Sequence, residues 1–130
     1  MKRLRVLIAD DHETVRKGVC AILTSREDIE VCAEARNGEE AVRLARELRP
    51  DIVLMDFTMP VMDGLQASQQ ILRTFPEIPI LMLSTHRLDT LANAAREIGL
   101  RGYITKNESA SSLLKAVDKA MRHEPFFVFA

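Results

Sequence analysis

Five times along this chain a short apolar run gives way to a segment of helical period, and that alternation admits few architectures. The runs over 4-9, 30-35, 51-56, 78-84 and 101-106 read as strands, and 12-25, 38-49, 64-75, 87-99 and 109-123 as helices. A repeat of this kind builds a parallel sheet covered by helices on both faces. The runs at 6-9, 52-55 and 80-83 are almost wholly apolar, as strands buried on both sides must be, whereas Val31-Cys32-Ala33-Glu34-Ala35 alternates and Gly102-Tyr103-Ile104 is short. The first, third and fourth strands therefore belong in the centre. Right-handed crossovers then allow an α/β (βα)5 three-layer sandwich, a parallel five-stranded sheet in order 2-1-3-4-5 whose winding reverses between the first and third strands.

The helices supply matching apolar stripes: Val15, Val19, Ile22 and Leu23; Ala41, Leu44, Ala45 and Leu48; Leu113, Leu114, Val117 and Met121. Asn37 with Glu40 reads as an N-cap with a returning carboxylate, and Pro50, Pro76 and Gly99 fall where helices should stop. At 130 residues, 47% hydrophobic and 28% charged, the chain holds one domain. Lys and Arg total 18 against 19 Asp and Glu, so no basic surface argues that this chain itself grips nucleic acid. Cys20 and Cys32 lack metal-site spacing and read as buried free thiols, the state expected in a reducing cytosol. No apolar stretch is long enough for a membrane span or a signal segment, so the sequence reads as cytoplasmic.

Chemistry concentrates where the strands should end. Asp10 and Asp11 follow the first strand directly, and Asp56 closes the third. With those strands adjacent, three carboxylates converge at the switch point, where open α/β sheets bind ligands. Such a group is costly without a cation, and it suits a hard one of the Mg²⁺ kind. The fourth strand ends in Leu83-Ser84-Thr85-His86 and the fifth in Tyr103-Ile104-Thr105-Lys106, adding a hydroxyl and an ammonium. A phosphoryl group would satisfy both a metal and Lys106, with Asp56 as the nucleophile and catalysis arising from positioning and electrostatics. Taken singly, each of these residues is more often a strand-end carboxylate, a loop lysine or an edge aromatic. His12, His86 and His123 have no zinc-ligand spacing and read as surface groups, while Met59, Met62, Met82 and Met121 read as packing.

Together, Asp10-Asp11, Asp56 with Met59-Pro60 and Asp63-Gly64, Ser84, Tyr103 and Lys106 closely resemble the receiver domain of two-component response regulators over about residues 3-123. The resemblance implies a flavodoxin-like fold and a phosphorylation-dependent switch rather than a conventional enzyme. It makes Asp56 the phosphoacceptor, assisted by Lys106 and Ser84. It assigns Mg²⁺ to Asp56, to Asp11 directly, to Asp10 largely through water, and to the Thr58 backbone carbonyl. Ser84 and Tyr103 become the switch pair, and Thr58 and His86 the positions that tune phosphoryl lifetime. Ile8-Ala9-Asp10-Asp11-His12, Leu83-Ser84-Thr85-His86 and Gly102-Tyr103-Ile104-Thr105-Lys106 look like LuxR-type (NarL/FixJ-like) regulators, in which a helix-turn-helix domain follows. Many receivers carry a proline with a cis bond where Asn107 stands; a trans bond is expected here, because a cis non-proline peptide costs about 2.5–4 kcal/mol.

Rival readings fail on particular residues. A phosphatase of the haloacid dehalogenase type would need an acid two residues past its nucleophile, where Thr58 stands. A dinucleotide or flavin binder would need glycines or hydroxyls where Asp10-Asp11-His12-Glu13 would repel phosphate. A receiver switching without phosphate is disfavoured by the complete residue set. The expected partner is a sensor histidine kinase, a homodimer formed on phosphorylation is left open, and DNA is reached through a domain outside this chain. Residues 1-123 then form the receiver. Residues 124-130, Glu124-Pro125-Phe126-Phe127-Val128-Phe129-Ala130, read as an exposed apolar tail or the start of a linker, with folding back onto the domain as the alternative. A reading frame ending at Ala130 would favour a stand-alone receiver acting through protein contacts.

Overall fold

The structure is a computed structural model, and it describes residues 2–85, 89–106 and 109–127. Strands β1 (Leu4–Ala9), β2 (Ile29–Ala35), β3 (Ile52–Asp56), β4 (Ile80–Ser84) and β5 (Gly102–Thr105) alternate with helices α1 (Glu13–Thr24), α2 (Gly38–Leu48), α3 (Gly64–Thr74), α4 (Asp89–Glu97) and α5 (Ala110–Met121). All pair in parallel, in the order β2-β1-β3-β4-β5 expected from the sequence.

Alternation along each central strand divides the core between two faces. Leu7, Val53, Met55, Ile80, Met82 and Tyr103 point toward α2, α3 and α4. Val6, Ile8, Ile52, Leu54, Leu81 and Ile104 point toward α1 and α5. Caps hold the helix starts. Asn37 Oδ1 accepts from Glu40 N–H at 2.8 Å, and the Glu40 carboxylate returns to Arg36 N–H at 3.1 Å, one residue before the cap. Asp63 and Gln66 form the full reciprocal capping box on α3.

Three expectations need correction. The first concerns the tail: Phe126–Phe127 form a sixth strand, β6, parallel to β5, with Phe126 opposite Gly102 and Phe127 opposite Tyr103. Both rings are half-buried, with the Arg96 guanidinium 4.4 Å from the centre of the Phe127 ring and the Lys119 ammonium 5.8 Å from that of Phe126. These two phenylalanines are therefore covered by the domain itself, while Val128, Phe129 and Ala130 lie outside the described residues. Gly102 permits the approach, since a Cβ there would collide with the Phe126 carbonyl. Because α5 shares a face with α1, the β5–α5–β6 crossover is left-handed, opposite to the usual hand.

The second correction is on α1: Leu23 is buried and Val19 and Ile22, half-buried, pack against the core as expected, but Arg16 is unexpectedly buried as well. The third is on the thiols: Cys20 and Cys32 are free as expected but half-buried, and Cys32 is the residue skipped where the β1–β2 register shifts.

Candidate functional site

Asp10, Asp56, Ser84 and Lys106 all lie at the carboxyl edge of the sheet. Asp56 is the last residue of β3, Asp10 follows β1, Ser84 closes β4 and Lys106 follows β5. Pairing of β3 with both β1 and β4 sets Asp10 and Ser84 on either side of Asp56, and the Ser84 carbonyl accepts from Lys106 N–H at 2.7 Å. Asp10, Asp56 and Ser84 are buried. Lys106 Nζ reaches Asp10 Oδ2 at 2.8 Å and Asp56 Oδ1 at 3.1 Å.

One ammonium thus serves two buried carboxylates, with the exposed Asp11 beside them. Burial, and secondarily the charge of Asp10, pushes the Asp56 carboxyl up from the usual 3.8 to about 6, against the pull of Lys106. Lys106 is held above its ordinary range: burial opposes its charge, but Asp10 and Asp56 together outweigh that. Asp56 is therefore still mostly ionised near neutral pH, by a narrower margin than an exposed carboxylate.

The residues fit a divalent cation. One ligand atom from each of Asp10, Asp11, His12 and Asp56 lies within 4.8 Å of the others. Among the described residues, Asp56 Oδ2 is buried and accepts no hydrogen bond, and Asp10 Oδ2 has only the ion pair with Lys106 and no well-directed donor. A buried, unsatisfied carboxylate oxygen is costly, and a cation offsets it. Oxygen donors dominate the set, as a hard cation prefers.

Two nearby residues were missed in the sequence reading. His12, 62% exposed, was read as a surface histidine, yet its Nδ1 lies 3.1 Å from Asp11 Oδ1 and 3.4 Å from Asp10 Oδ1. Arg16 lies buried behind the acidic turn. The loop after Asp56 is strained and tightly fitted. Val61, 75% exposed, has φ of 72°, unusual for a β-branched residue, and a Cβ on Gly64 would collide with the Asp56 backbone carbonyl. Thr58 in that loop is exposed, and Tyr103 is wholly buried on the α2–α4 face of the sheet. His86 and the peptide at Asn107 lie outside the described residues.

Fold and pocket together define a doubly wound α/β protein with an acidic, lysine-bearing site at the carboxyl ends of its parallel strands. The chain belongs to the response regulator receiver domain family, whose model it matches over residues 6–118. It is 43% identical to the transcriptional regulatory protein LnrK of Bacillus subtilis (strain 168) over 114 residues, 88% of this chain and 52% of that protein. The chain thus spans about half the length of that curated relative. Among solved structures it is similar to a LuxR-family two-component response regulator from Aurantimonas sp. SI85-9A1, with a TM-score of 0.92 and 34% identity over 96% of this chain and 89% of that one. It is also similar to a chain of the CheX–CheY–BeF3–Mg²⁺ complex from Borrelia burgdorferi, with a TM-score of 0.85 and 30% identity over 89% of this chain and 87% of that one. Among the described residues, no helix is long and apolar enough to cross a membrane.

Proposed function

We propose that this chain is the phosphoacceptor domain of a two-component response regulator, receiving a phosphoryl group on Asp56 from a sensor histidine kinase in the presence of Mg²⁺. The observation that carries this reading is the convergence of Asp10, Asp11 and Asp56 at one sheet edge, where Lys106 pairs with Asp10 and Asp56 and Asp56 Oδ2 is buried and undonated. In transfer, an Asp56 oxygen attacks phosphorus while the bond to the donor imidazole nitrogen breaks; with the ring's other nitrogen carrying a proton, this leaves an acyl phosphate on Asp56 and a neutral imidazole on the donor. Lys106 holds charge against the incoming phosphoryl oxygens, and Ser84, at the end of the neighbouring strand, offers its hydroxyl to them. Asp10, Asp11 and the Thr58 carbonyl would hold Mg²⁺ with Asp56, and the ion would supply neutralisation of the phosphoryl charge. The similar Borrelia complex, named for BeF3 and Mg²⁺, supports that choice of ion.

Signalling is then a population shift in which the phosphoryl group biases Ser84 and Tyr103. Tyr103 is wholly buried on the sheet face packed by α2, α3 and α4, and we assign it the aromatic half of that switch. The output we assign is transcription, through a LuxR-type helix-turn-helix domain outside this chain. Its support is the likeness to a longer transcriptional regulator and to a LuxR-family structure. Thr58 and His86 are assigned to phosphoryl lifetime.

The test is incubation with acetyl phosphate and Mg²⁺, read by intact mass. One phosphoryl adduct is expected on the wild type, mapped to the peptide containing Asp56, and none on Asp56→Asn. Stoichiometric labelling of that variant, with rescue at a hydroxyl such as Ser84 excluded by peptide mapping, would refute the assignment. The chain by itself should bind DNA no better than a neutral control.

A further inference from the structure

Arg16 is a buried cation for which the phosphoryl chemistry has no direct use. Its side chain is 6% exposed, although it lies on the first turns of a surface helix. Burying a guanidinium is costly unless its donors are well used. Here Nε donates to Glu34 Oε1 on β2 at 2.8 Å, and Nη1 donates to the backbone carbonyl of Asp10 at 2.8 Å.

That carbonyl belongs to the peptide joining Asp10 to Asp11, whose plane sets the direction in which the Asp11 carboxylate leaves the chain. The other atoms of Asp10 are fixed as well. Its N–H donates to the Ala35 carbonyl at 3.0 Å, Oδ1 accepts from His12 N–H at 2.9 Å, and Oδ2 meets Lys106. Asp10 is therefore held at both ends of its backbone and at both ends of its carboxylate.

We propose that Arg16 is a positioning residue for the cation site: through the Asp10 carbonyl it fixes the Asp10–Asp11 peptide so that both carboxylates face one ion. This rests on the receiver reading above and deepens it. The role is geometric rather than electrostatic, because Glu34 already pairs with Arg16 and also lies 3.3 Å from Lys17. The two roles predict opposite signs. Removing a nearby positive charge would tighten Mg²⁺ binding, whereas removing a strut loosens it. Lysine at this position would keep the charge but lacks the planar fork that meets Glu34 and the Asp10 carbonyl together.

The experiment is a Mg²⁺ titration of wild type, Arg16→Lys, Arg16→Gln and Glu34→Gln, read by calorimetry and by the Asp11 and Asp56 amide signals, with folding checked in the same spectra. Both Arg16 variants should bind Mg²⁺ about tenfold more weakly, in line with the usual effect of losing a partner that orients a metal ligand. Glu34→Gln should lose less, since the bond to Asp10 remains. Labelling by acetyl phosphate should need correspondingly more Mg²⁺ and recover when the ion is saturating. Unchanged or tighter binding in folded Arg16 variants overturns the inference. A wild type that binds no Mg²⁺ overturns the receiver reading, and this inference with it. If Arg16→Gln does not fold, Arg16→Lys decides. In the wild type the Arg16 Nε–H signal should move on adding Mg²⁺, and a signal that stays put counts against the proposal.

Discussion

The two ends of the sheet use the same residue types in opposite ways. At the amino end Asp28, Asp51 and Asp118 are each matched. Arg26 sits between Asp28 and Asp118, with its Nη2 2.7 Å from Asp28 Oδ2 and its Nη1 2.9 Å from Asp118 Oδ1, and Asp51 Oδ2 accepts from Arg5 N–H at 2.8 Å. The hydrogen bonds from Arg26 hold the Asp28 carboxyl below its usual range. At the carboxyl end two buried carboxylates share one lysine with a third beside them, and Asp56 is pushed up to about 6. One end is arranged so that nothing further is needed. On the proposed function the other would be completed by a cation and a phosphoryl group, and its crowded carboxylates cost stability without them.

Four measurements would break or sharpen this contrast. The largest effect is expected where the carboxyl end leaves no room. Gly64→Ala sets a Cβ against the Asp56 carbonyl, backbone against side chain, and should cost about 3 kcal/mol in a urea melt. A neutral result would mean that the loop after β3 is looser than its geometry.

Next comes the pH dependence of Asp56. Its folded value lies above the unfolded 3.8, so its favourable contribution is complete below pH 3.8 and is lost as pH rises through about 6. Asp56→Asn should therefore be the more stable protein above pH 6, by roughly 1–3 kcal/mol without Mg²⁺, and the gap should close below about pH 4. A variant equal to or weaker than wild type at pH 7.5 would remove the strain assigned to this end.

Mg²⁺ should relieve the same strain. At about ten times its dissociation constant it should stabilise wild type by about 1.4 kcal/mol, and Asp11→Asn by much less, as thermal melts would show. A melting temperature indifferent to Mg²⁺ in both proteins would contradict the cation site.

The smallest effect belongs to the amino end. Arg26→Ala should lower the melting temperature by a few degrees at most and leave acetyl phosphate labelling unchanged, since its partners are substantially exposed. The Asp28 contribution carries the opposite sign to that of Asp56: present above pH 3.8, it is lost as pH falls through the depressed folded value. Loss of labelling in this variant would couple two ends that the structure keeps apart.

Sheet order and the acidic edge were legible because apolar runs report burial on two faces, and parallel strands deliver their last residues to a common edge. Asp10, Asp56, Ser84 and Lys106 needed no more than that. Arg16 was missed because its burial depends on Glu34, a partner on strand β2. The available signal was helical spacing, since Arg16 lies on the same stripe as Cys20 and Leu23. His12 was missed because its partners are adjacent carboxylates rather than spaced ligands. Strand β6 was invisible for two reasons: it is two residues long, and it is reached by a crossover of the uncommon hand, which the rules used to order the sheet would discard.

The position of β1 has a consequence for how the chain is made. Within this domain it is the first strand to be synthesised, yet its fully apolar segment Val6–Ala9 lies between β2 and β3, so one edge stays unpaired until residues 52–56 emerge. Non-local parallel pairing is slow to form, and an open apolar edge is adhesive while it waits. Synthesis paused before β3, or a fragment cut there, should therefore aggregate rather than remain as a soluble half. Any scheme that splits this domain to report on its assembly would do better to divide it after β3, where β1 already has both neighbours.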